Sequence, residues 1–134
     1  MRLSLFSLVS LVFFVFFGTV FSDTMEWKAS EKKSAVANPV AASAESVAAG
    51  KKVYIKECSS CHGPKGKGDG PSSGDFATKT TDITDAKFAS QTDGAVFYKI
   101  TVGRRPMPGF RDTLSDDERW NVVNYIRTLS TVKK

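Results

Sequence analysis

A chain of 134 residues allows one domain with appendages and leaves little room for a second core. Its formal charge of +5, from 19 Lys and Arg against 14 Asp and Glu, falls far short of a nucleic-acid footprint, and no DNA or RNA motif accompanies it. There is no internal repeat, no phosphate-cradling glycine motif and no Ser/His/Asp set, so no small-molecule substrate is expected.

The two ends differ. Residues 3–22 hold no charge and are dominated by Leu, Val and Phe behind a single Arg2. A short basic start, an apolar run over 3–17 and small-residue spacing at Val20-Phe21-Ser22 read as a signal peptide cut before Asp23. At helical rise the same run, about 20 residues, is also long enough to cross a bilayer, so an uncleaved membrane anchor is the other reading. No Cys lies near it, which excludes a lipid anchor on a cysteine. Either reading places the rest of the chain outside the cytoplasm, periplasmic or tethered facing the periplasm. Loss of 1–22 removes one charge, Arg2, and takes +5 to +4. That mildly basic balance suits docking against acidic partners.

Residues 23–44 are rich in Ala, Ser and Lys, broken by Asn38-Pro39, with no sustained apolar period, and read as a tether. Trp27 is its one residue suited to packing on a folded domain. From Ser46 the pattern changes: Val47, Gly50, Tyr54 and Cys58 recur at helical intervals. This first helix runs into a loop holding Gly63, Pro64, Gly66, Gly68, Gly70, Pro71 and Gly74, too rich in breakers for a regular element. A further helix is expected over 93–102, with Asp93 as cap, an apolar face of Val96, Phe97 and Ile100, and Gly103 as stop. The last begins at an S-x-x-E box, Ser115 to Glu118, and carries a stripe of Val122, Tyr125, Ile126 and Leu129. Asp116, Asp117 and Glu118 resemble paired acid/base carboxylates, but in a first helical turn they serve the helix dipole. No segment reads as a strand.

Cys58-Ser59-Ser60-Cys61-His62 matches C-x-x-C-H, the attachment signature of c-type haem. Each thiol adds to one haem vinyl group, so the cysteines must stand a porphyrin edge apart, and one helical turn supplies that spacing. His62 then follows as the proximal iron ligand. These are the only Cys and His of the chain, too few for a four-ligand zinc site. A thioredoxin-like pair belongs near a βαβ pattern, which is missing. A disulfide across two residues closes a tiny loop and leaves His62 unexplained.

The sixth ligand follows by elimination. A second histidine does not exist, Met1 leaves with the signal, and Met25 lies in the tether. Met107 remains, in Gly103-Arg104-Arg105-Pro106-Met107-Pro108-Gly109-Phe110, where flanking prolines remove backbone donors and are expected to give extended geometry. The plain alternative is Met107 as core filler. As a ligand it would raise the potential and fill the coordination sphere, favouring electron transfer over oxygen chemistry.

Over residues 45–130 the chain resembles class I c-type cytochromes, in particular small bacterial monohaem domains. The likeness rests on AAGKKVYIKECSSCHGPKGKGDGP, TDITDAKF, TDGAVFYKITVGRRPMPGF and LSDDERWNVVNYIRTL, in that order. It implies an all-α cytochrome c fold of about four helices over 45–134, wrapped around one covalent haem c, with first and last helices crossing. Gly50 and Tyr54 match the family's small and aromatic contact positions, and Val122 and Tyr125 their partners. The family orients its haem histidine through a proline carbonyl, which assigns that role to Pro71, with Pro64 second. Trp120 is placed in the core in preference to a haem propionate. With so glycine-rich a middle, the haem completes the core, and the apoprotein is expected to be largely unfolded.

Three functions follow. The first is a non-enzymatic carrier of single electrons, diffusible or tethered, docking on redox proteins through Lys51, Lys52, Lys56, Lys65, Lys67, Arg104 and Arg105. In the second, the chain is a fixed subunit through which electrons enter a membrane oxidoreductase complex. The third, a haem sensor or peroxidase-like enzyme with an open sixth position, is disfavoured by Met107.

Overall fold

A computed structural model of the chain describes residues 26–130. The export segment expected over 1–22, together with Met1, Met25 and residues 131–134, lies outside them.

Among the described residues six α-helices follow in order: α1 Glu31–Ser34, α2 Ala44–Glu57, α3 Ser59–His62, α4 Ala86–Ala89, α5 Asp93–Val102 and α6 Asp116–Leu129, with a 3₁₀ turn at Ser73–Asp75. The described residues contain no strand, only an isolated bridge between Arg104 and Met107. The all-α expectation holds. The count exceeds four because α1, α3 and α4 are four-residue turns, too short for a helical apolar period to register.

The architecture turns on the crossing of α2 and α6. Ser43 caps α2, its side chain accepting from the Ser46 backbone N–H at 3.1 Å. Ser46, Gly50 and Tyr54 recur every four residues and form the buried face of α2. On α6, Val122, Val123, Tyr125 and Ile126 are buried in return. The Tyr54 and Tyr125 rings meet at 5.2 Å between centroids. Gly50 makes the close approach, since a Cβ there would stand 1.9 Å from the Asn121 carbonyl oxygen. The four crossing residues sit as the family resemblance implies.

Helix α5 supplies Val96 and Ile100 to the same core, joined by Ile83, Phe110 and Leu114. Its boundaries are those expected, but the cap is Thr92, whose side chain accepts from Ala95 N–H, and Asp93 is the first helical residue. Trp120 is 4% exposed and stacked on Phe97 at 3.9 Å, a core residue absent from the cleft described below.

Helix α6 opens with the reciprocal box: Glu118 N–H donates to Ser115 Oγ, and Ser115 N–H donates to Glu118 Oε2 at 2.8 Å. That backbone bond, with the Ser115 hydroxyl, holds the Glu118 carboxyl below its ordinary 4.5. The folded value is the depressed one, so the stabilisation is complete above 4.5 and is lost as pH falls through the folded value. Glu118→Gln is expected to flatten this acid limb, checked by denaturant unfolding of both proteins across acid pH.

The described part of the segment expected as a tether, 26–43, is packed on the domain instead. Helix α1 lies on α5, and Thr92 Oγ1 donates to Ser34 O at 2.7 Å. Asn38 Nδ2 donates to Asn124 Oδ1 at 2.8 Å, while Asn124 Nδ2 donates to Val40 O at 3.1 Å and Ser46 Oγ at 2.8 Å. Buried Asn124 thus ties the segment to α2 and α6 through polar bonds that leave no apolar period in the sequence.

Candidate functional site

Cys58 is the joint between α2 and α3. Its N–H continues the α2 ladder to Tyr54 O at 2.9 Å, and its carbonyl accepts from His62 N–H at 2.9 Å, so Cys58, Cys61 and His62 share one helical turn. A helix end leaves its last carbonyls without partners. Here the glycine-rich loop returns to satisfy them: Ser72 N–H reaches Ser60 O at 2.8 Å, Gly70 N–H reaches Cys61 O at 3.1 Å, and Gly68 N–H reaches His62 O at 2.9 Å. Buried Tyr54 adds its hydroxyl, donating to Gly63 O at 2.8 Å. The turn is therefore braced by α2 behind it and by the loop in front.

Met107 comes from the other side of the sequence. Arg104 N–H donates to Met107 O at 3.0 Å and Met107 N–H to Arg104 O at 2.9 Å, with a cis peptide at Arg105-Pro106 between them. The expected extended backbone is thus a tight turn at this point. Beyond it, Phe110 N–H donates to Ile100 O at 3.0 Å and Arg111 N–H to Thr101 O at 3.2 Å, fastening the loop to the end of α5.

The two sides enclose one cleft in two compartments, of about 270 and 430 Å³. Trp27, Cys58, His62, Thr81 and Met107 wall both. The smaller compartment runs inward to Tyr54, Val96, Ile100, Val122 and Ile126, an apolar wall. The larger is bounded by Cys61 and Phe76 and rimmed by Lys79, Arg104 and Arg105. Of the basic residues expected at a docking face, Arg104 and Arg105 border the cleft; Lys51, Lys52, Lys56, Lys65 and Lys67 are exposed but line neither compartment. Lys79 stands in no sequence motif that marks it for this position.

His62 Nδ1 stands 3.2 Å from the Thr81 carbonyl oxygen. A carbonyl only accepts, so Nδ1 carries the proton and Nε2 keeps its lone pair for a metal. The carbonyl that orients His62 is therefore that of Thr81, in place of the expected Pro71 or Pro64. A backbone acceptor carries no residue-type signal that a sequence motif would reveal. Burial pulls the imidazole below its ordinary 6.5, partly opposed by the bond to Thr81, so the ring is neutral at neutral pH.

Cys58 and Cys61 form no disulfide with each other. Burial, with the neighbouring Glu57 and Cys61, pushes Cys58 up to about 12. Redox-active cysteines have depressed values, so Cys58 is unsuited to thiol–disulfide exchange. Two thiols one turn apart, a neutral imidazole and a thioether on an apolar cleft fit a covalently held haem. They define a haem-binding electron-transfer domain.

Comparison with known proteins agrees. Residues 47–130 match the sequence profile of the Cytochrome c family, and the chain belongs to that family. It is 33% identical over 79 residues to cytochrome c6 of Euglena gracilis, covering 59% of this chain and 87% of that protein. Among solved structures it is similar to a chain of the Kuenenia stuttgartiensis reducing HAO-like protein complex Kustc0457/Kustc0458, with a TM-score of 0.64 and 37% identity over 72% of this chain. It spans only 50% of that longer chain. The KustC0563 c-type cytochrome superposes with a TM-score of 0.53 and 26% identity, covering 61% of this chain and 98% of that one. This chain is accordingly a c-type cytochrome domain with one covalent haem c, and its activity is electron transfer.

Proposed function

We propose that the chain carries single electrons outside the cytoplasm, with haem attached through thioethers to Cys58 and Cys61 and its iron held by His62 Nε2 and Met107 Sδ. The observation that carries this reading is that all four residues wall one cleft, His62 and Met107 standing at the boundary of both compartments. Bound there, the haem supplies a one-electron iron couple. The protein's own residues do the rest. The Thr81 carbonyl fixes the His62 ring, and Tyr54, Val96, Ile100, Val122 and Ile126 give the smaller compartment an apolar wall. A thioether ligand raises the potential and leaves no coordination position for substrate.

The partner is a redox protein with an acidic docking surface, meeting Lys79, Arg104 and Arg105 at the mouth of the larger compartment. Electron exchange with such a protein is expected to slow severalfold as ionic strength rises through the physiological range, measured by stopped-flow absorbance. Salt-independent rates would count against this face. Export rests on the uncharged run over 3–22.

A second reading, a fixed subunit of a larger oxidoreductase, is favoured by the likeness to a chain of a multi-protein complex. Co-purification with larger subunits, or an intact N-terminus by mass spectrometry, distinguishes it from a diffusible carrier.

A further inference from the structure

The segment 26–43 is packed on the domain although its composition is that of a linker, and ordering each backbone residue costs roughly 1–2 kcal/mol. Something must offset that cost. Part of the compensation is the Asn124 network. Part is built into α5, where Gly94 leaves room for the segment's backbone: a Cβ at that position would stand 2.5 Å from both Lys33 O and Val36 O. These anchors lie well behind the segment's first described residues, yet those residues are held too. Glu26 pairs with Lys87 at 3.1 Å, and Lys99 Nζ stands 5.5 Å from the centre of the Trp27 ring. Trp27 is half-buried, and it shares with His62 and Met107 the boundary between both compartments of the cleft.

We propose that Trp27 is a further haem-contacting residue, its indole laid against the porphyrin so that the segment 26–43 acts as a strap closing one side of the cleft. The chemistry suits the contact: a large flat aromatic offers dispersion and stacking to a π-macrocycle, with Lys99 over its ring as a cationic brace. The strap also gives this cytochrome a haem environment set partly by residues outside the family-matched span of 47–130.

This inference rests on the haem reading, which is tested separately by the pyridine haemochrome spectrum and mass of the same holoprotein. The direct test is proton NMR of the reduced, diamagnetic holoprotein, with Trp27→Phe used to assign the indole signals. Trp27 ring protons are expected to be shifted by the porphyrin ring current and to show cross-relaxation with haem methyl or meso protons. In Trp27→Ala, a more hydrated haem is expected to lower the midpoint potential, with Trp27→Phe close to wild type. Trp27 signals at random-coil positions with no haem cross-peaks overturn the proposal. So does a Trp27→Ala midpoint potential equal to wild type. Should Trp27→Ala fail to load haem, the wild-type spectrum decides.

Discussion

Gly50→Ala is expected to destabilise the holoprotein by roughly 3 kcal/mol, the upper end of what overpacking a tight contact costs. Two effects oppose each other at this site. In an exposed helix interior the change would stabilise by about 1 kcal/mol, because alanine is the better helix former. At the crossing, however, the new methyl would stand 1.9 Å from Asn121 O and 2.4 Å from its carbonyl carbon, both backbone atoms that no side-chain rotation can move. The helices must separate, and Tyr54 and Val122, each 0% exposed, lose packing together. The overpacking term wins. Gly74→Ala is the control: nothing lies within 4 Å of a Cβ there, and its effect is expected to stay within about 0.5 kcal/mol. Denaturant unfolding of the two holoproteins, followed by absorbance and circular dichroism, checks both values.

Met107→Ala separates two roles that one residue could hold. As core filler, Met107 would contribute apolar burial alone. Its loss would cost on the order of 2 kcal/mol and leave the visible spectrum intact. As an iron ligand, its loss opens the sixth position. The low-spin spectrum is then replaced by a high-spin one, and the midpoint potential falls on the order of 0.1 V, a fraction of the ~0.8 V that axial ligands span across haem proteins. The shared boundary of Met107 and His62 in the cleft supports the second outcome. Spectra and redox titrations of wild type and variant, taken alongside melting curves, decide it.

What the sequence disclosed and what it hid have a common physical reason. The attachment turn at Cys58, Cys61 and His62, the crossing through Gly50 and Tyr54, and the Ser115–Glu118 box are local patterns, each written within one or two helical turns. They were legible because short-range geometry dictates the residue types. The strap was not, because its docking relies on side-chain bonds to backbone across 84 positions, as from Asn124 to Val40. Polar contacts of that range impose no period on the strap itself. The orienting carbonyl of Thr81 and the rim position of Lys79 were hidden similarly, since both follow from how the loop after α3 folds back. At Met107 the flanking prolines marked a constrained loop but not its turn, which is closed by reciprocal backbone bonds with Arg104.

In the proposed electron carrier, His62 and Met107 fill the haem iron on both sides. An optical redox titration of the purified holoprotein, repeated with carbon monoxide added to the reduced form, tests it most directly. A reversible one-electron transition between two low-spin states is expected, with a reduced spectrum that carbon monoxide leaves unchanged. A high-spin reduced form that binds carbon monoxide readily would contradict it.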